Sequence, residues 1–270
     1  MTDAPMEFGV VVLSSWNVKE ITQCAKAADK AGLDFLLITD HYMTPRSNKS
    51  IDAWTVLASL ATQTERIRLG TCVTPIPFRP PQMLAKIIAT VDRLSDGRTI
   101  LGVGAGWYQR EFDAYSKWDE DKIRVDKTCE GIELITRLWT SRYGLDFNGR
   151  FYSVKGAILE PKPIQKPHPP LWFGTTGPYM LRLAQHYADA WVPPVPGLAV
   201  ETYEAVIARL KGHTRRKIKL TFNGTFDELK ETIPRFADLG FYGAMLARES
   251  PKDTPKAIKK LATEIIPSYR

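Results

Sequence analysis

Among four histidines in 270 residues, His41 stands directly after an apolar run, in Thr39-Asp40-His41-Tyr42. Imidazole gives or takes a proton near neutral pH, which makes His41 the leading candidate for acid–base work at a carbonyl or hydroxyl. His168 also lies near an apolar run, but it precedes it. Asp40 reads more readily as a partner for backbone or an arginine than as a proton carrier. Gly174-Thr175-Thr176-Gly177 follows another run and leads into a helix expected from Pro178. Glycines permit close approach, threonine hydroxyls donate and a helix N-terminus adds positive potential, so this loop suits a phosphate; a plain tight turn has the same composition. Gly102, Gly104 and Gly106 form GxGxG, short of the full GxGxxG fingerprint. Bare backbone at these glycines and Ala105 leaves room for a flat ring, and Trp107 offers an aromatic wall; a Gly-rich turn with no ligand is the plainer reading. Glu111 either pairs with an arginine, takes part in proton transfer or simply begins a helix.

Groups so far apart can share chemistry only if the fold brings the ends of the apolar runs together. Eight runs are legible: 6–13, 33–39, 67–73, 98–103, 171–173, 189–192, 217–222 and 242–246. Segments with helical spacing alternate with them, such as Val18, Ile21, Ala25 and Ala28, or Leu84, Ile87, Val91 and Leu94. Asn17 with Glu20 and Thr225 with Glu228 predict capping boxes, Gly32 a left-handed helix end, and Thr254 before Pro255 a further cap. Near-continuous apolar strands suit a parallel sheet covered on both faces, and eight strand-helix units suit closure into an α/β (β/α)8 barrel. Insertions follow strand four (Gly104 to Lys122) and precede strand five (Phe147 to Pro170), the latter reading as a hairpin and a proline-rich arm. A doubly wound sheet shares the element order but would be expected to carry a complete glycine fingerprint. Residues 1–270 are expected to form one domain.

Barrels of this kind work at the C-terminal ends of their strands, where Asp40, His41, Cys72-Val73-Thr74-Pro75, the GxGxG segment and the GTTG loop all fall. Composition narrows the options further. Hydrophobic residues at 44% and charged residues at 25% exclude disorder and coiled coil. Three cysteines without paired spacing supply neither a disulfide framework nor a zinc cluster, so a cytoplasmic protein and no metal are expected. The start MTDAPMEFGVVVL reads as a first strand rather than a signal peptide, and no apolar run is long enough for a membrane span. A net charge of +7 is modest. Its densest basic stretch, Arg209 to Lys219, falls between a helix and a strand at the end away from the working face, so no nucleic-acid partner is expected.

Taken jointly, several segments resemble the bacterial-luciferase-like oxidoreductase superfamily, and within it the coenzyme F420-dependent branch. They are TDHY at 39–42, DAWTVLASLATQTERIRLGTCVTP at 52–75, RPPQMLAKIIATVDRLSDGRTILGVGAGWYQREF at 79–112 and EPKPIQKPHPPLWFGTTGPYMLRLAQHYADAW at 160–191. The resemblance implies a TIM barrel that binds F420 with its ring near the strand ends. It implies a non-proline cis peptide between Cys72 and Val73, with Asp40, Cys72, Val73, Thr74, Gly104, Ala105, Gly106 and Trp107 around the cofactor. Gly174, Thr175, Thr176 and Gly177 would hold its phosphate, and His41 with Glu111 would be catalytic. The activity implied is hydride transfer between the deazaflavin and a small carbonyl, alcohol or activated alkene. The alternative is an FMN-dependent monooxygenase using reduced flavin and oxygen; a flavin-storage protein and a metal-dependent isomerase are further readings. Arg46, Lys49, Arg79 and Arg110 are expected to meet the acidic tail of F420, and helices at 53–61 and 83–94 to form a homodimer surface.

Overall fold

The computed structural model describes residues 5–194, 197–211, 218–247 and 249–270. In chain order the elements are β1 (Glu7–Val12), α1 (Val18–Lys30), β2 (Phe35–Ile38), α2 (Ala53–Ala61), β3 (Arg68–Thr71), β4 (Thr74–Pro75), α3 (Pro81–Leu94), β5 (Thr99–Gly104), α4 (Gln109–Tyr115) and α5 (Asp121–Thr140). They continue with β6 (Leu145–Asn148), β7 (Ser153–Ala157), β8 (Leu171–Gly174), α6 (Pro178–Tyr187), β9 (Ala190–Val192), α7 (Val200–Lys211), β10 (Lys219–Gly224), α8 (Phe226–Asp238), β11 (Gly243–Leu246) and α9 (Thr254–Lys260). All pairings in the main sheet are parallel, and β1 pairs with both β2 and β11 while β3 pairs with β5, so the sheet closes on itself. Eight strands make the barrel, as their apolar runs predict, and the two-residue β4 adds a short pairing to the end of β5.

Alternation along each strand sorts the core into two compartments. Phe8, Val10, Val12, Leu36, Ile38, Leu69, Leu101 and Val103 face the surrounding helices, while Phe35, Leu37, Ile100, Trp172 and Met245 fill the lumen. The Phe35 and Trp172 rings meet edge to face, 4.9 Å apart, and plug the barrel axis. A ligand can therefore enter only above this plug, at the C-terminal mouth.

The expected local signals account for most helix ends. Both capping boxes form, Asn17 with Glu20 and Thr225 with Glu228, and Gly32 is left-handed at φ 77°. Thr254 is a correction: it is already the first residue of α9, and its hydroxyl donates back to the Ser250 carbonyl at 2.7 Å. The insertion after β5 contains α4. The hairpin before β8 begins at Leu145 rather than Phe147, and its proline-rich arm is pinned by fully buried Asp92, whose Oδ2 accepts from the Ile164 amide at 2.6 Å. Of the basic stretch, Arg215, Arg216 and Lys217 lie outside the described residues.

Candidate active site

A cavity of about 590 Å³ opens at the barrel mouth, within the range of small-molecule sites. His41, Cys72, Val73, Gly104, Ala105, Gly106, Trp107, Gly174, Thr175, Thr176 and Gly177 all line it. Residues predicted from segments more than a hundred positions apart thus converge on one space.

His41 is fixed from behind. Its Nδ1 lies 2.9 Å from Glu111 Oε2, while Glu111 Oε1 accepts the amides of Tyr42 at 2.6 Å and Met43 at 3.2 Å. Glu111 is 2% exposed and does not line the cavity. A carboxylate can only accept, so Nδ1 carries the hydrogen of this bond. Glu111, expected as a catalytic partner, stands behind His41, and its position suits orienting the imidazole. We expect Glu111→Gln to lower kcat by about 10–100-fold, as loss of an imidazole's orienting partner does. The substrate KM should change less than kcat, because the side-chain amide donates to Nδ1 and reverses the tautomer; equal turnover would refute this role.

Asp40 and Thr74, expected around the cofactor, do not line the cavity, and their polar atoms are bonded behind it. Arg79 donates to both Asp40 oxygens, each at 2.8 Å, and to Asp52 at 3.0 Å. Thr74 spends its one hydroxyl hydrogen on Asp40 at 2.7 Å and accepts from Trp54 Nε1 at 3.0 Å and from Thr71 at 3.0 Å. Every member of the network is satisfied. Burial alone would weaken the charge on Arg79, but Asp40 reverses the sense and holds its pKa above the ordinary value. Burial raises the Tyr42 phenol further than Arg79 lowers it, so the hydroxyl stays protonated as it accepts from Arg79 Nε. Arg79 is thus no free cation for an acidic tail, and Arg46, Lys49 and Arg110 are exposed away from the cavity lining.

The Cys72–Val73 peptide is cis, as the resemblance implies, and Val73 enters the lumen. A Cβ at Gly104 would meet Val73 Cγ2 at 2.6 Å, and one at Gly174 would meet Val73 Cγ1 at 2.7 Å. The space left by these glycines is taken by Val73 rather than left open for a ring, so the floor of the cavity is an isopropyl group. Gly106 has φ 84°, and a Cβ there would strike the Phe112 ring at 2.4 Å. Burial pushes the Cys72 thiol up to about 12, which keeps it protonated and unsuited to nucleophilic work.

On the far side, Trp191 Nε1 donates to the Thr175 carbonyl at 2.7 Å and the Gly177 amide donates to Thr175 Oγ1 at 3.2 Å, fixing the loop before α6. No side chain caps α6, and Pro178 opens it. Pro75 and Pro194, which follow apolar runs, also line the cavity, as do Asp121, Arg124, Val125, Tyr179, Met180 and Leu198, which the sequence does not single out. Pro178, next to Tyr179, marked only the helix start; Arg124 gave no signal beyond its charge. Trp107 is 61% exposed, its ring edge-on to His41 with centroids 5.7 Å apart.

Fold and site together define a (β/α)8 barrel with a small-molecule cavity at its C-terminal mouth and one histidine presented to it. The chain belongs to the luciferase-like monooxygenase family, whose model matches residues 6–247. An F420-dependent glucose-6-phosphate dehydrogenase of Amycolatopsis mediterranei is 31% identical over 178 residues, 64% of this chain and 53% of that protein. The match therefore spans about half the length of that relative. A protein of the same description from Nakamurella multipartita is 28% identical over 279 residues, 98% of this chain and 81% of the relative. Among solved structures, the coenzyme F420-dependent tetrahydromethanopterin reductase of Methanopyrus kandleri superposes with a TM-score of 0.84 at 20% identity. That superposition covers 99% of this chain and 100% of the other, and shows the shared fold.

Proposed function

We propose that this chain is an F420-dependent oxidoreductase acting on a small carbonyl, alcohol or activated alkene. The observation that carries the reading is the placement of His41 and the uncapped α6 turn on one apolar-floored cavity. The residues present suit a deazaflavin with a phosphoryl group: Val73, Pro75, Ala105 and Gly106 offer flat apolar contact, and the Thr175-Thr176-Gly177 loop offers donors at a helix N-terminus. When bound, F420 supplies a two-electron carrier that accepts or delivers hydride.

The chain's own work is alignment and proton handling. His41 Nε2 takes the hydroxyl proton when an alcohol is oxidised and returns one to the oxygen when a carbonyl is reduced. Glu111 holds that imidazole in one tautomer. Residues 1–270 act as one domain in this reading, in the cytoplasm. The homodimer surface is α3, which exposes Met83, Ile87 and Leu94; α2 has no exposed large apolar side chain to contribute. Among the described residues no helix is long and apolar enough to cross a membrane, and no group of His, Cys, Asp and Glu is arranged to hold a metal.

The test is F420-linked turnover against alcohols, aldehydes, ketones and sugar phosphates. We expect at least one class to change the deazaflavin absorbance catalytically under anaerobic conditions. Turnover only with reduced FMN and oxygen would replace this reading with a monooxygenase, and F420 binding without any turnover would replace it with a carrier.

A further inference from the structure

Strand β10 alternates its side chains as the other barrel strands do: Leu220 and Phe222 pack under the helices, so Thr221 and Asn223 point into the lumen. Asn223 is level with Met245 of β11, which belongs to the lumen cluster, and only Gly224 follows it in the strand. It therefore lies in the last inward-facing layer, at the C-terminal mouth. The register of Leu220 with Trp191, carried on by three residues, sets it beside Pro194 on the cavity wall. Inward side chains on this part of the wall, Val192 on β9, Met245 on β11 and Val11 on β1, are apolar.

In that setting the Asn223 amide stands out. The residue is half-buried, yet its Oδ1 is fully buried and has no hydrogen-bond partner. Thr221, one inward position lower on the same strand, shows the ordinary treatment of a polar group here: its hydroxyl donates to the Trp191 carbonyl at 3.1 Å. Buried amides are nearly always satisfied, and an unpaired one weakens the free protein. An apolar side chain would fill the position without that cost, as Met245 does on the next strand. A polar group left unpaired at the rim of a ligand cavity suits a partner that arrives with the ligand. Turned over, the amide presents N–H in place of the oxygen, so it can accept from a hydroxyl or donate to a carbonyl.

We propose that Asn223 is a specificity-determining residue whose side-chain amide hydrogen-bonds a second, uncharged polar group of the substrate, away from the reacting oxygen. The inference rests on the oxidoreductase reading above and narrows its substrate. In the closed sheet, β1 and β11 stand between β2, which leads to His41, and β10. A molecule that reaches both residues is a hydroxy ketone, a diol or a like compound, its two polar groups separated by hydrocarbon that lies along the apolar wall. The second group is uncharged because a charge against that wall would have no counter-charge.

The experiment measures binding of cyclohexanone and of its 3- and 4-hydroxy derivatives to wild type, Asn223→Leu and Asn223→Ala. Calorimetry is run with and without F420, alongside F420 affinity and thermal unfolding of each protein. Wild type should bind a hydroxy ketone about tenfold more tightly than cyclohexanone, the worth of one hydrogen bond to an otherwise unpaired group. Both variants should lose that preference while F420 binds all three proteins alike. The leucine variant should melt no lower than wild type, because the unpaired amide has gone. The alanine variant carries the comparison if leucine overfills the site. A preference that depends on Asn223 without any F420 binding would uphold Asn223 and refute the cofactor reading. A preference that survives in both variants, or none in wild type, would overturn the proposal. So would equal weakening of every probe and of F420 with a lower melting temperature, the pattern of an amide that meets a buried water and only holds the fold. Failure of both variants to fold would assign the amide that same structural role and overturn the proposal too.

Discussion

Replacing His41 with asparagine is expected to lower turnover by about two to four orders of magnitude, the contribution of a positioned acid–base group. F420 affinity should change little, because the apolar floor and the loop before α6 remain in place. The side chain is 17% exposed and bonded to Glu111, so truncation opens a small polar gap at the mouth and leaves the core untouched. Glu111 keeps both backbone donors, Tyr42 and Met43, and stays satisfied. The measurements are kcat under saturating cofactor and substrate, and the dissociation constant for F420 by fluorescence. Unchanged turnover would remove His41 from the chemistry, and lost cofactor binding would make it a binding residue instead.

Arg79→Met is expected to cost about 3–5 kcal/mol of stability, the range for breaking a buried ion pair from one side. Asp40 is then left with a side chain 1% exposed, no cation, and only the Thr74 hydroxyl as donor. The loss is expected to pull on residues 39–43, which carry His41. Adding Asp40→Asn should recover part of the stability, because the orphaned charge disappears. Denaturant unfolding of the two single variants and the double variant closes the cycle. If Arg79→Met is near neutral, or if Asp40→Asn makes it worse, the network does not hold the loop by charge compensation.

The barrel was legible because its signals are local. Phe35 to Ile38 and its counterparts are continuous apolar runs, and Asn17 with Glu20 or Thr225 with Glu228 announce helix starts within a few residues. The site was legible only in part. His41, the GTTG loop and Trp107 could be placed by the rule that barrel chemistry sits at strand ends. The roles of Glu111 and Arg79 could not, because each depends on partners brought in from other elements, His41 in one case and Asp40 with Asp52 in the other. Arg79 looked like a free cation for this reason. At the glycines the sequence predicts room for a flat ring, but at Gly104 and Gly174 the group that takes the room is Val73, which follows the cis peptide. Thr254 missed its cap position by one residue, since Ser250 and Asp253 already occupy the preceding turn.

The barrel mouth, in this account, is a seat for a deazaflavin. It is tested most directly by titrating the purified protein with F420 and FMN side by side, following absorbance and protein fluorescence. Saturable binding of F420, with FMN clearly weaker, is the predicted result, accompanied by quenching from Trp107 on the cavity wall. No binding of F420, or a preference for FMN, would contradict it.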